Sequence, residues 1–209
     1  RYLASASDDK SLIIWKKVEG KGGDISSGLT PEKWVYRQIL QGHRLNVIDC
    51  AWSPDNSLIA SASLDNNICI WNVGPILKNN PSNIETLAPI KVLSGHETFA
   101  RGVAWDPVNK YLVSTGDDKK VNIWEVGNEW NLLQSVVSPY KSKESKTMIR
   151  KLSWCPDGSN ICTTNATPLN QNIHTAAVLM RDDFSNWIDL IGHTSPITIC
   201  CYCNRIFKG

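Results

Sequence analysis

Short apolar runs separated by turn residues recur along the chain. Val47 to Trp52 is followed by Pro54-Asp55-Asn56, and Ser57 to Ser63 by Asp65-Asn66-Asn67. Ile68-Cys69-Ile70-Trp71 forms a third run, and Ile90-Lys91-Val92-Leu93 a weaker fourth. Runs of about four to eight residues, alternating apolar with small or polar positions and bounded by Asn, Asp, Gly or Pro, predict strands joined by tight turns. Helical periodicity is minimal, so the pattern predicts an all-β molecule built from four-stranded units.

The units repeat. Trp15, Trp71 and Trp124 close similar segments (Ala4 to Trp15, Ala60 to Trp71, Val113 to Trp124), with Asp9, Asp65 or Asp118 six residues before the indole. A second set, Trp52, Trp105 and Trp154, precedes turns containing Pro54, Pro107 and Pro156. Gly-His pairs stand at Gly42-His43, Gly95-His96 and Gly192-His193, and the first two histidines lie 28 residues before Trp71 and Trp124. A period near fifty residues marks a repeat architecture, in which each unit buries its apolar faces against its neighbours.

These residues resemble WD repeats over essentially the whole chain. The resemblance implies an all-β fold, a WD40 β-propeller that is incomplete, with about four blades of an expected seven. Residues 1–41 would be the end of a first blade, with a long loop at 16–33. Residues 42–94 and 95–140 would be full blades, 141–191 a degenerate blade and 192–209 the start of the next, so 209 residues are expected to measure part of a domain. The resemblance also implies a hydrogen-bonded row in each blade. In the second it would join His43, Ser63, Asp65 and Trp71; in the first, Ser7, Asp9 and Trp15. In the third it would join His96, Asp118 and Trp124, with Gly116 in the place of the Ser and the network incomplete. A Ser-His-Asp set whose members recur blade after blade, with no nucleophile elbow or oxyanion-hole motif beside it, is expected to build the fold rather than to hydrolyse anything.

Composition narrows the function. Hydrophobic residues make up 42% and charged residues 20%, which reads as globular. Lys plus Arg number 22 against 20 Asp plus Glu, which excludes bulk positive charge as a reason to bind nucleic acid or anionic membrane. No apolar run reaches the roughly 18 residues of a membrane span, and Arg1-Tyr2-Leu3-Ala4 opens no signal or transit peptide. Seven cysteines without paired Cys-x2-Cys arrays do not form a disulfide framework. Cys200-Cys201-x-Cys203 sits in a segment, Ile197 to Cys203, that reads as a buried strand rather than a metal site. No metal or cofactor is expected. Lys16 to Lys33 and Gly74 to Pro89 read as mobile surface loops. Ser138 to Lys151 carries Lys141, Lys143, Lys146, Arg150 and Lys151 against Glu144, and reads as a solvated basic loop, with an acidic surface or nucleic acid as the alternative contact. Asn165-Ala166-Thr167 matches a glycosylation sequon, which means little without a secretory leader.

A narrower resemblance rests on four stretches: Leu3-Ala4-Ser5 through Trp15-Lys16-Lys17, Gly102 to Tyr111, Arg150 to Gly158, and Asn204-Arg205-Ile206-Phe207-Lys208. Together they are similar to HIRA/Hir-type histone chaperone subunits, although Arg205 stands where that family's ending has Pro. The middle WD-repeat subunit of chromatin assembly factor shares the Trp-Asp-Pro and Trp-Ser-Pro-Asp-Gly elements and is the alternative; Trp187 and Gly192-His193 favour the first. The resemblance implies a non-catalytic scaffold in the nucleus, acting in replication-independent nucleosome assembly and transcriptional regulation. Its partners would be ubinuclein-like subunits of the complex, histones held directly or indirectly, and chromatin, with no membrane and no small-molecule substrate. Another WD-repeat adaptor, such as a ubiquitin-ligase substrate receptor, is a further reading, and a propeller enzyme would need convergent polar groups at the channel. Propellers commonly bind through upper-face loops, which here implies a partner-binding rim at Asn46, Leu64, Phe99, Arg101 and Asp117. Leu64 and Phe99 would be apolar groups on that rim.

Overall fold

The computed structural model describes residues 1–19, 32–78, 86–127, 129–140, 150–166 and 173–203. The strands form four four-stranded sheets, and the described residues contain one short helix and one 3-10 turn. The first sheet contains β1 (Tyr2–Ala6), β2 (Ser11–Glu19) and β3 (Glu32–Gln41). The second contains β4 (Val47–Trp52), β5 (Leu58–Ser63) and β6 (Asn67–Asn72). After helix α1 (Gly74–Lys78), β7 (Thr86–Leu87) joins the first sheet and β8 (Lys91–Ser94) completes the second. The third runs β9 (Ala100–Trp105), β10 (Tyr111–Gly116), β11 (Val121–Glu125), β12 (Leu132–Val136). The fourth runs β13 (Ser153–Trp154), β14 (Asn160–Ala166), β15 (His174–Met180), β16 (Trp187–His193).

Side chains alternate across a strand, and here both faces of the middle sheets find a neighbour. In β6, Cys69 and Trp71 pack toward the first sheet with Leu12, Ile14 and Leu40, while Ile68 and Ile70 pack toward the third with Val103, Leu112 and Trp124. In β10, Leu112 faces the second sheet, whereas Tyr111 and Val113 face the fourth, against Trp154, Ile161 and Leu179. Burial on both faces explains why β10 is buried at every position. The fourth sheet turns Trp187 toward the third and leaves Ile188 and Leu190 exposed.

The turns follow from side-chain chemistry. Asp65 Oδ1 accepts the Asn67 N–H (3.1 Å), and Asn66 takes a left-handed φ of 71°. Asp55 and Asp106 hold the Pro turns at the other end in the same way, with Asn56 and Asn109 at positive φ. Asn tolerates this conformation better than other non-glycine residues. The Asp turns lie at the upper end of the sheets and the Pro turns at the lower.

Several loops expected from the sequence are structured. The segment 16–33 is not a loop at its ends: β2 extends to residue 19 and β3 begins at 32, a paired hairpin from Ser11↔Gln41 to Glu19↔Glu32. Residues 20–31 lie outside the described residues. The segment 74–89 is also not a simple loop. Its helix accepts hydrogen bonds from the first sheet, Tyr2 to the Leu77 carbonyl (3.2 Å) and Arg37 to the Ile76 carbonyl (2.8 Å). Its β7 pairs parallel with Ile39 and Leu40 of β3. In the basic stretch, Tyr140 and Arg150 are buried, and residues 141–149 lie outside the described residues. The segment Ile197–Cys203 is not a buried strand: one parallel bridge, Lys151↔Ile199, is its only pairing among the described residues, and Cys201 and Cys203 are exposed. A strand is buried only where sheets cover it, and this segment meets the fourth sheet on one side, at Lys151, at Ser153 and through the Tyr202 hydroxyl at Asn160.

Candidate functional site: the polar rows and the upper rim

The polar rows form, with a different serine from the one the sequence pointed to. Ser61, not Ser63, accepts the Trp71 indole N–H (2.9 Å) and contacts His43 Nε2 (2.8 Å). Ser114 does the same for Trp124 (2.9 Å) and His96 (2.8 Å), so the third sheet's row is complete although position 116 is Gly. In the first sheet Ser5, not Ser7, accepts from Trp15 (2.9 Å). Register decides the choice. Ser61 is opposite Cys69, one diagonal step from Trp71 on the same face. Ser63 shares that face but sits at the strand end, where it accepts the Asp65 N–H and donates to the Leu45 carbonyl. Ser7 likewise accepts the Asp9 N–H at its turn, and Asp9 accepts from Ser11.

Donor counting fixes the direction of each row. Trp71 only donates, and Asp65, ionised, only accepts. His43 therefore carries its proton on Nδ1 toward Asp65 (3.0 Å), and Ser61 donates its own proton to Nε2. Burial lowers the His43 pKa below the ordinary imidazole value against the pull of Asp65. Burial of Asp65 acts to raise its pKa, but the Arg44 N–H and His43 outweigh it and hold the carboxyl below its ordinary range. Asp118 shows the same balance, with His96 and the Glu97 N–H overcoming its burial. The arrangement has the connectivity of a hydrolase triad, yet Ser61 and Ser114 are both 0% exposed and their oxygens are occupied by indole N–H groups.

The fourth sheet keeps a remnant of the row. Ile161 pairs with Leu179 where Leu112 pairs with Trp124, so Thr163 occupies the Ser position and Leu179 the Trp position. The Tyr140 hydroxyl, delivered by the Ser138–Tyr140 3-10 turn, bonds Thr163 in place of a histidine. At the lower end, Trp105 donates to Asn109 (2.7 Å), whereas Trp154 has Gly158 four residues on and its buried indole N–H has no acceptor among the described residues. Gly158, at φ +74°, leaves room for Arg181, which forks onto Asp106 (2.9 and 2.7 Å) and lies over the Tyr111 and Trp154 rings.

At the upper rim, backbone hydrogen bonds bring the candidate residues into pairs. The Leu64 N–H bonds the Asn46 carbonyl (3.0 Å), and the Asp117 N–H bonds the Phe99 carbonyl (2.9 Å). Asn46 and Leu64 are half-buried, and Phe99 is 42% exposed. Arg101 donates from Nε and Nη2 to Asp117 Oδ2 (2.9 and 2.7 Å) and lies over the Phe99 ring at 5.3 Å. Asp117 also meets a residue the rim reading missed, Arg150, whose Nη2 is 3.3 Å from Oδ1. A signal for it existed: Arg101 and Arg150 each stand four residues before a Trp of the second set, Trp105 and Trp154. Gly102 lets this contact form, because a Cβ there would lie 2.2 Å from the Arg150 carbonyl. Nearby on the inner strands, Asp49 accepts from Lys151 (2.9 Å) and from the Val103 N–H (3.2 Å), linking β4, β9 and the segment just before β13. Among the described residues no three His, Cys, Asp or Glu side chains converge as a metal site.

A family model described as the CAF1B/HIR1 beta-propeller domain matches residues 1–208. Protein HIR1 of Cryptococcus neoformans var. neoformans serotype D (strain JEC21) is 34% identical over 209 residues, 99% of this chain and 22% of that protein. Protein HIR1 of Eremothecium gossypii is 32% identical over all of this chain and 24% of its own length. Protein hir1 of Schizosaccharomyces pombe is 31% identical, again over the whole chain and 21% of its own length. The chain thus spans less than a quarter of the length of these curated relatives.

Proposed function

We propose, from the premise that the chain belongs to the CAF1B/HIR1 β-propeller domain family, that it is part of the scaffold of a HIR-type histone chaperone complex. In this reading the protein acts in the nucleus, in replication-independent nucleosome assembly and transcriptional regulation, and holds ubinuclein-like subunits and, directly or through them, histones. The observation that carries it is the match to the family over residues 1–208, with whole-chain relatives named HIR1. The work of the domain is binding rather than catalysis. Both Ser-His-Asp rows are sealed in the core, and a nucleophile without access to substrate has no reaction to run.

The partner-binding surface in this proposal is the upper rim: Asn46, Leu64, Phe99, Arg101 and Asp117, joined by Arg150. The structural rows are His43, Ser61, Asp65 and Trp71 in one sheet and His96, Ser114, Asp118 and Trp124 in the next. The middle subunit of chromatin assembly factor is the second reading, because the matching family model covers both kinds of protein.

Purifying the full-length protein from nuclear extract and identifying the co-purifying chains tests the proposal. Histones together with ubinuclein-like chains are expected. Ubiquitin-ligase components without histones or histone chaperones would overturn it, and the other subunits of chromatin assembly factor would select the second reading. Phe99→Ala in the full-length protein is expected to reduce the co-purifying subunits several-fold while leaving the melting temperature unchanged.

A further inference from the structure

The segment after the fourth sheet brings two cysteines together. It runs parallel to β13, with Lys151 bridged to Ile199 and the Tyr202 N–H donated to Ser153 Oγ (3.0 Å). Since β13 is antiparallel to β14, the segment passes β14 in the opposite sense. The Tyr202 hydroxyl bonds Asn160 of β14. Two residues forward along β14 stands Cys162, and two residues back along the segment stands Cys200. Side chains two apart on an extended chain share a side. The register that joins Tyr202 to Asn160 therefore sets Cys200 against Cys162, and the two thiols are in contact. The second and third sheets have the same facing pair in apolar form. Ala60, one residue before Ser61 as Cys162 is one before Thr163, shares a cluster with Val103, which lies seven residues after His96 as Cys200 lies seven after His193.

The two sulfurs differ in reactivity. Cys162 is buried, whereas Cys200 is half-buried and open to a small oxidant. The Cys162 thiol beside Cys200 draws the Cys200 pKa below its ordinary value against burial, while Cys162 is itself raised by that contact and by burial. Burial pushes the other core thiols, Cys50 and Cys69, up to about 11 and about 12. The thiolate is the nucleophile in thiol oxidation, and a second thiol within reach resolves the first product to a disulfide.

We propose that Cys162 and Cys200 form a peroxide-sensitive thiol pair, whose disulfide ties the fourth sheet to the segment that follows it. The Cys200 thiolate attacks one oxygen of hydrogen peroxide and the O–O bond breaks. The departing hydroxide takes a proton and leaves as water, and Cys200 becomes a sulfenic acid. The Cys162 sulfur then attacks the Cys200 sulfur, its proton goes to the displaced hydroxyl, and a second water departs. Both thiols are oxidised to one disulfide as the peroxide is reduced to water. A disulfide needs sulfurs at about 2 Å, and a segment held by one ladder bridge can yield to reach it. The tie falls where the fourth sheet has no histidine row.

The test treats the reduced full-length protein with hydrogen peroxide, blocks remaining thiols with N-ethylmaleimide after unfolding, and reads tryptic peptides by mass spectrometry. A disulfide joining the peptide of residues 152–181 to that of 182–205 is expected. It should form about tenfold faster than Cys50 or Cys69 is oxidised, and dithiothreitol should reverse it. The first peptide also holds Cys155 and the second Cys201 and Cys203, so variants place the bond. Cys162→Ser or Cys200→Ser should abolish it, and Cys155→Ser, Cys201→Ser and Cys203→Ser should leave it. Cys162→Ser should also strand Cys200 as a sulfenic acid that dimedone labels. Fragment ions of the wild-type crosslink locate the bond even where a variant fails to fold. Amides of residues 197–203 should exchange hydrogen several-fold more slowly in the oxidised protein. Pairing of Cys200 with Cys201 or Cys203, a crosslink that survives Cys200→Ser, or Cys162 still fully blocked by maleimide after peroxide would each overturn the proposal. Unchanged amide exchange in a protein that does form the bond would overturn the tie.

Discussion

A single hydroxyl organises each polar row. Ser61 accepts a hydrogen bond from the Trp71 indole N–H and donates one to His43, so removing it strands two buried groups at once. Ser61→Ala is expected to cost about 1–3 kcal/mol, visible as a lower melting temperature in thermal unfolding. The same row makes stability depend on pH. Unfolded, His43 takes a proton near its ordinary pKa of 6.5; folded, burial delays that proton to lower pH. The unfolded state therefore binds more protons as pH falls below 6.5, and stability declines from there toward the native His43 value. Asp65, depressed in the folded state, adds a second loss as pH falls below 3.8 through its native value. Urea midpoints measured between pH 7.5 and 5 should fall, and His43→Gln should flatten that step. The sequence showed which residue types make up the row but not which Ser. Ser61 and Ser63 share one face, and only the register of β5 against β6 brings the former to the indole.

At the scale of the element, the fourth sheet lacks the Gly-His and the Asp–Trp spacing and is held by other contacts. Arg181 supplies a polar tie to the third sheet beside the apolar cluster the two share. It pairs with an Asp106 that is 0% exposed and covers two aromatic rings. Arg181→Ala leaves that carboxylate buried without its cation and is expected to cost about 3–5 kcal/mol, measured by chemical denaturation. Arg181→Lys should recover only part of the loss, since an ammonium cannot fork onto the carboxylate. The third sheet has the opposite sensitivity, to added bulk. A Cβ on Gly116 would lie 2.6 Å from His96 Nδ1 and 2.7 Å from Asp118 Oδ1. Gly116→Ala is expected to destabilise by about 1–3 kcal/mol by forcing that pair apart. Strand positions were legible from alternation, and β4, Val47–Trp52, has the bounds its pattern predicts. The hairpin extension of β2 and β3 was not legible, because mixed-charge residues such as Lys16, Lys17 and Lys33 resemble a loop until a partner strand is known.

Across the whole molecule, the sheets are coupled through apolar clusters and through a polar belt on the inner strands. Asp49 bridges the second and third sheets and the segment leading into the fourth, from a site only 8% exposed, to a Lys151 that is 51% exposed. The two partners should respond unequally. Asp49→Ala leaves the Val103 N–H without its acceptor and is expected to cost about 2 kcal/mol. Lys151→Met is expected to cost less than about 1 kcal/mol, because water already screens the ammonium. Comparing the two urea midpoints checks the asymmetry.

The sequence by itself determined the all-β class, the repeat and the turns, because these depend on spacing. Alternation sets faces, Asp and Asn set turns, and a recurring Trp marks each unit. The tertiary structure alone decided which serine completes a row and where the 74–89 segment goes. It also decided that Tyr140 replaces a histidine and that Arg101 and Arg150 converge on one carboxylate. Each of these needs residues far apart in the chain to be brought within hydrogen-bond distance, and only register and the packing of sheet against sheet fix which ones meet.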